Sequence, residues 1–359
     1  MLNLLKETFR GKRVFLTGHT GFKGAWMLQI LNWLGADVKG FSLAPEKSKD
    51  LYNQIKGDDL CYASVIADLK DLHALQGEMI RFAPDFVFHL AAQSLVRRSY
   101  EEPIDTFVVN TIGTAHVLQA MRGLEKPCVG LMITTDKVYE NAERGIPFRE
   151  EDKLGGYDPY SASKAAAEIV TESFRRSFFH PEKYEAHGKS IASARAGNVI
   201  GGGDYSDDRL IPDIVKALEN EEHVILRNPK SVRPWQHVLE PLSGYLLLAA
   251  KMTTAPMQHA TAYNFGPEAD DEKPVEELTR IFLRAFGREN HYEINESDAN
   301  PHEAKLLLLD SEKARRELNW RPRLNAETAI AWTADWYADK TTSAQDKCMR
   351  QIENYFSNL

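Results

Sequence analysis

Arg13-Val14-Phe15-Leu16-Thr17-Gly18-His19-Thr20-Gly21-Phe22-Lys23-Gly24 runs an apolar pentad straight into three glycines. Arg13–Thr17 reads as a strand, residues 23–34 as a helix, and the glycines fall on the turn between them. Such a turn uses one glycine for its tightness, one for backbone approach to a pyrophosphate and one for close helix–sheet packing. Free amides at the helix start then meet the phosphate charge. Glycines spaced three and three are weak evidence alone, because a ligand-free turn can carry them; the position after an N-terminal strand gives them weight. His19 and Lys23 add positive charge that a further phosphate would favour. The second strand ends Gly40-Phe41-Ser42-Leu43, without the carboxylate that would hold the ribose hydroxyls of NAD, so these residues leave NAD and NADP open. Asp68 has two readings: acceptor for an adenine amino group, or cap of a helix beginning at Leu69.

Outward from this turn the pattern repeats. Strands are expected at 37–41, 62–66, 85–90, 128–134 and 190–194, and helices at 69–82, 103–122 and 160–178. Strand and helix in succession imply parallel crossovers, hence a doubly wound parallel α/β sheet. After Ala196 the rhythm changes to a glycine-rich loop at 201–209, a short strand at 224–226 and helices at 210–219, 239–251, 275–286, 312–318 and 327–337. This predicts a dinucleotide domain of 1–197 plus about 234–265. A smaller, mainly helical substrate lobe takes about 198–233 and 266–359, with 341–359 as a surface helix. With 43% of 359 residues hydrophobic, the chain can bury a large core and is not disordered. The net charge of −8 argues against a nucleic-acid partner and requires local cations for any anionic ligand. Three cysteines give neither a disulfide framework nor a zinc site, and no histidine pair has metal-ligand spacing. Without a signal peptide or spanning segment, a soluble cytoplasmic protein is expected.

Tyr160-Ser161-Ala162-Ser163-Lys164 puts a phenol and an amine on one helix face. A tyrosine base near pH 7 needs its pKa depressed by about 3 units, roughly 4 kcal/mol, which a neighbouring ammonium and an oxidised nicotinamide can supply. Upstream, Ile133-Thr134-Thr135-Asp136-Lys137 closes a strand with hydroxyls and charges at the end that faces the ligand crevice. Thr135 can donate to an oxygen being oxidised. Asp136 and Lys137 are an acid and a base that a simple alcohol dehydrogenase does not need. Arg209 and Arg233 are candidate pyrophosphate ligands. Asn198 is a candidate for a phosphate or sugar oxygen, and His302 a further candidate in the substrate lobe.

These motifs resemble the extended short-chain dehydrogenase/reductase family, and within it the nucleotide-sugar 4,6-dehydratases, over nearly the whole chain. The resemblance also rests on His89-Leu90-Ala91-Ala92-Gln93, on residues 195–204, on Arg233-Pro234-Trp235-Gln236-His237-Val238 and on Asn264-Phe265-Gly266-Pro267. Related enzymes usually read Thr-Asp-Glu where this chain has Thr135-Asp136-Lys137, a departure that marks the branch acting on CDP-D-glucose. The resemblance implies a Rossmann domain holding NAD through Gly18, His19, Thr20, Gly21, Phe22, Lys23, Gly24, Ser42, Asp68, Leu69, Leu90, Ala91, Ala92, Gln93, Tyr160 and Lys164, with looser ribose contacts. It implies a substrate held by Gln93, Asn198, Arg209, Arg233 and His302, and no metal.

The implied reaction oxidises carbon 4, loses water across carbons 5 and 6 and returns the hydride to carbon 6, feeding deoxysugar and O-antigen synthesis. Tyr160, aided by Thr135 and Lys164, would take the 4-hydroxyl proton, and Asp136 would protonate the departing 6-hydroxyl. Lys137 would be either the carbon-5 base, if neutral, or an electrostatic stabiliser of the enolate. The family also implies a homodimer or homotetramer, with helices 103–122 and 160–178 forming a four-helix bundle across a twofold axis. A 4-epimerase and a catalytically silent dinucleotide-binding regulator are the competing readings.

Overall fold

The computed structural model describes residues 1–141, 145–207, 209–226, 228–268, 271, 273–295 and 307–358. Seven strands make the central sheet: β1 (Arg13–Thr17), β2 (Asp37–Ser42), β3 (Ala63–Ile66), β4 (Phe86–His89), β5 (Cys128–Ile133), β6 (Lys189–Ala196) and β7 (Ala262–Phe265). All pair in parallel, in the order β7-β6-β5-β4-β1-β2-β3. Helices cover both faces, so the central strands are buried along their length; every residue of β5 and β6 is buried. The order reverses between β1 and β4, where Thr17 stands in register with both Phe41 and His89. Their aligned carboxyl ends open the crevice in which such folds bind ligands.

The layers around the sheet are α1 (Leu2–Phe9), α2 (Phe22–Trp33), α3 (Leu72–Phe82), α4 (Gly113–Arg122), α5 (Pro159–Ser177), α6 (Leu239–Thr254), α7 (Val275–Arg284), α8 (Ala326–Ala338) and α9 (Ala344–Glu353). The sequence reading passed over α1, whose Leu5 and Phe9 are buried and whose Phe9 ring meets Phe86 at 4.8 Å. It also passed over β7, a four-residue strand interrupted by the polar Asn264. α3 starts at Leu72 rather than Leu69, because the capping carboxylate is that of Asp71, which accepts from Ala74 N at 2.9 Å. The segment expected as one helix over 103–122 carries a π turn at Val108–Ile112 between Pro103–Phe107 and α4. In α2, residues 24–31 are all buried because the tail covers its outer side. Gln29 donates to Gln345 O at 2.8 Å, and the Trp33 and Phe356 rings lie 5.7 Å apart. The tail is thus amphipathic, with Cys348, Ile352, Tyr355 and Phe356 turned inward.

Beyond β6, short ladders join Val199–Ile200 to Gln236–His237, Val232–Arg233 to Lys273–Pro274 and Val224–Leu226 to Tyr292–Ile294. Among the described residues no helix is long and apolar enough to cross a membrane.

Candidate active site

The turn after β1 is shaped by what its glycines exclude. Gly18 has φ +74°, and a Cβ on it would lie 2.6 Å from Ala91 N; a Cβ on Gly24 would lie 1.9 Å from Gly18 O. These two positions let the turn touch the loop after β4 and let α2 pack beneath it. At Gly21, the N-cap of α2, a Cβ would meet nothing nearer than Gly18 O at 3.5 Å, so its outer side is open. No acidic residue stands in the first turn of α2, which leaves the helix N-terminus electropositive. Phe22 lies beside the second glycine loop; a Cβ on Gly201 would come within 3.1 Å of its ring.

His19 departs from expectation. Its ring is fully buried between Tyr52, 5.2 Å away edge-on, and Ser64, whose hydroxyl lies 3.0 Å from Nε2. Burial lowers its pKa to about 4, partly opposed by Asp58, so it supplies no charge for a phosphate near neutrality. The ring fits because residue 40 is glycine: a Cβ there would stand 2.3–2.5 Å from three ring atoms. Gly40→Ala is therefore expected to cost about 1–3 kcal/mol of stability by overpacking, read as a lower melting temperature. An unchanged melting temperature would show that the ring relaxes freely.

Thr20 donates to Leu43 O at 2.8 Å, so the 2.9 Å contact between Thr20 and Ser42 has Ser42 as donor and leaves the Ser42 lone pairs as acceptors. Asp68 is half-buried and accepts from Lys70 N at 2.9 Å, while Leu69 packs its side chain toward Gly113.

The loop after β4 is fixed by a chain of hydrogen bonds whose directions follow from its ends. Ala91 N donates to Thr17 Oγ1 (3.3 Å), and Thr114 Oγ1 donates to Asn110 O (2.7 Å). His89 between them must therefore accept from Thr17 at Nδ1 (2.7 Å) and donate to Thr114 from Nε2 (3.1 Å). Burial, with Lys164 second, lowers its pKa to about 3, in keeping with a neutral strut. The π turn presents Asn110, which the sequence reading missed: its amide grips Gln93 N and O and donates to Ser163 Oγ, which donates to Tyr160 O. Gln93 was expected to reach ligands. Instead both its amide N–H donors go to Leu95 O and Thr106 Oγ1, and its oxygen accepts from Leu95 N. It shapes the loop alongside Leu90, Ala91 and Ala92, all half-buried.

The exit of β5 and the start of α5 meet across this crevice. Asp158 caps α5, accepting from Ser161 N and Oγ at 2.9 and 2.6 Å, and Pro159 occupies the first helical position. Tyr160 and Lys164 follow on one face, both buried. Thr135 is hydrogen-bonded to the Tyr160 hydroxyl and also donates to Asp136 Oδ1 at 2.9 Å. Lys137 is half-buried, with Nζ 3.4 Å from Asn198 Oδ1. Thr135, Asp136, Lys137, Tyr160, Lys164 and Asn198 thus come together at one place.

Burial and neighbouring charges shift three groups here. Burial pushes Tyr160 up to about 12, although the Thr135 hydrogen bond and the Arg209 charge draw it down. Lys164 is pushed down to about 8 by burial, partly offset by Glu168, and its Nζ donates to Ile133 O at 3.1 Å. Half-buried Lys23 also reaches the centre. Its pKa falls to about 7 through burial and then the charges of Arg209 and Lys164, with Asp136 opposing.

Arg209 bridges the loops: Nη1 lies 3.2 Å from Asp204 Oδ2 and Nη2 lies 3.4 Å from Ser94 Oγ. Its charge falls on Tyr160 and Lys23, closer to the reacting end than a pyrophosphate ligand alone would require. The Arg233 backbone pairs with Lys273, but its side chain and the whole of His302 lie outside the described residues.

Residues 15–333 match the family described as GDP-mannose 4,6 dehydratase. The chain is 45% identical over 356 residues to CDP-glucose 4,6-dehydratase of Salmonella typhimurium, covering 98% of each. It is 30% identical over 335 residues to dTDP-glucose 4,6-dehydratase of Streptomyces antibioticus, covering 91% of this chain and 92% of that one. Among solved structures, the dTDP-glucose 4,6-dehydratase DesIV of Streptomyces venezuelae, with NAD and TYD bound, superposes with a TM-score of 0.75 at 25% identity, covering 91% of this chain and 97% of that one.

Proposed function

The chain belongs to the GDP-mannose 4,6-dehydratase family, and from that premise we propose that it is an NAD-dependent hydro-lyase converting CDP-D-glucose to CDP-4-dehydro-6-deoxy-D-glucose and water. The observation that carries the reading is the grouping of Asp136 and Lys137 with Thr135 and Tyr160 at the exit of β5. Oxidation of an alcohol uses the last two; only elimination of water also needs an acid and a base.

The cradle fits NAD: the open side of Gly21 admits a pyrophosphate to the first amides of α2, and Ser42 offers acceptor lone pairs to a ribose hydroxyl. When bound, NAD would supply the electron sink for carbon 4, the hydride for carbon 6 and a positive charge that favours the phenolate. Thr135 and Tyr160 hold the 4-hydroxyl between them, and the phenolate oxygen of Tyr160 takes its proton. The resulting ketone acidifies the proton on carbon 5, which Lys137 Nζ removes and returns to carbon 5 once carbon 6 has been reduced. The Asp136 carboxyl gives its proton to the 6-oxygen, which leaves as water. Lys164 and Arg209 supply the positive charge that favours the phenolate, and Arg209 and Asn198 hold the nucleotide's phosphates and the sugar. The three unpaired cysteines suit a reducing compartment, so we place the reaction in the cytoplasm.

Incubation with NAD and CDP-, dTDP-, UDP- or GDP-glucose tests this. The expected product is an alkali-absorbing 4-keto sugar from the CDP substrate first, with deuterium placed on carbon 4 recovered in the methyl group of the same molecule. A 4-epimer as product, or no turnover of any of the four, would overturn it.

The same helices bear on assembly. The segment around the π turn and α5 pack side by side yet leave Ile104 75% exposed, Ile169 60% and Ile112 46%. Such a face suits a second copy in a four-helix bundle. Ile104→Glu with Ile169→Glu is expected to convert a dimer, or a tetramer built from it, to smaller species by light scattering. An unchanged mass would place the interface elsewhere.

A further inference from the structure

Behind Tyr160 and Lys164 lies a carboxylate that the proposed reaction does not use. Glu168 is one helical turn beyond Lys164 on α5 and is 4% exposed. Its Oε1 accepts from Thr134 Oγ1 and from Arg195 Nε (3.0 Å); its Oε2 accepts from Ser193 Oγ (2.7 Å) and Arg195 Nη2 (2.9 Å). Arg195 continues through Nη1 to Tyr139 OH at 2.8 Å, and Tyr139 OH donates to Asn264 Oδ1 at 2.7 Å. Lys164 meanwhile donates to the carbonyl of Ile133. Glu168 and Lys164 therefore grip consecutive residues, Thr134 and Ile133, immediately before Thr135.

We infer that Glu168 is a positioning residue for this reaction: it anchors the strand exit that presents Thr135 and Asp136, and it maintains the positive charge of Lys164 beside Tyr160. The catalytic half of this rests on the dehydratase reading above; the effect on Lys164 does not. Two carboxylate oxygens with four donors make a carboxylate that stays ionised. Burial works against its charge, but Arg195 and the hydroxyls of Thr134 and Ser193 outweigh it and lower its pKa. For Lys164, Glu168 is the charge that opposes burial. Among the described residues the other charged or titratable groups around Lys164 include Lys23 from α2, His89 from β4, Tyr160 on its own helix and, at the exit of β5, Asp136, whose charge acts on Lys23 and Tyr160. A plain structural ion pair would tie β6 to α5 without governing an amine one turn away.

The test follows the Lys164 amine directly, through the Cε resonance of ¹³C-lysine-labelled, cofactor-free protein, assigned against Lys164→Ala. Removing an anion weakens proton binding, so in Glu168→Gln the Lys164 midpoint is expected to fall by about one pH unit, a tenfold change in protonation. The alkaline limb of kcat/KM should move down by the same amount. If the single variant folds poorly, Glu168→Gln with Arg195→Met removes both buried charges and should still lower the midpoint. A midpoint unchanged in whichever of these folds, or activity lost at every pH with an unmoved profile, would reduce Glu168 to a scaffold residue. A lowered midpoint in a protein that turns over no CDP-glucose would leave the electrostatic role standing and sink the dehydratase reading instead.

Discussion

Tyr160→Phe is expected to lower kcat by about 10²–10⁴-fold, the usual contribution of a positioned acid–base group, while melting temperature and NAD binding stay close to the parent's. The ring is held by the start of α5, where the Asp158 cap and Pro159 are untouched, and Phe fills the same volume. Only the hydroxyl, bonded to Thr135, is lost. Burial pushes the phenol up while Arg209 draws it down, and the parent rate should rise with pH until other groups titrate. The Phe variant should lose that rise as well as the rate. Single-turnover measurement with CDP-glucose checks both. A rate within threefold of the parent's, with the same pH profile, would remove Tyr160 from proton transfer.

What was legible in the chain followed from residues whose roles are dictated by backbone geometry. Gly18 and Gly24 could be read because a tight turn and a close helix each forbid a Cβ, while Gly21 between them leaves the helix start open. Thr135, Asp136 and Lys137 could be read because a strand ending in hydroxyls and charges must end at solvent or ligand. Side-chain direction was not legible. Nothing in Gly18-His19-Thr20 tells that the imidazole turns into the core, since its space is made by a glycine twenty-one positions later. Gln93 looked like a ligand residue because its partners, Thr106 and Asn110, sit on a helix whose π turn adds a residue without altering composition. Asp68 and Asp71 compete as caps three residues apart, and only the path of the chain decides between them. Glu168 was within reach: a carboxylate four residues after Lys164 shares its helix face, and an acidic residue buried there needs cations and donors from the neighbouring strand.

Lys137 carries the other large effect, because it is the amine that the proposed reaction uses at carbon 5. Lys137→Ala is expected to slow solvent-deuterium incorporation at carbon 5 by about 10²–10⁴-fold, while oxidation at carbon 4, which depends on Tyr160 and Thr135, continues. The two steps separate because Lys137 lies on the Asn198 side of the site and the phenol on the α5 side. Base and electrostatic stabiliser are then told apart by Lys137→Arg. A guanidinium keeps the positive charge yet cannot lose its proton within a protein, so it can stabilise an enolate but cannot act as a base. If Lys137 is the base, the Arg variant should be as deficient in exchange as the Ala variant. If it only stabilises charge, the Arg variant should recover most of the exchange. Wild-type exchange in Lys137→Ala would exclude both roles and move the proton transfer to another group. Lys23, with its pKa lowered to about 7 beside Asp136, is the amine the structure places next in line.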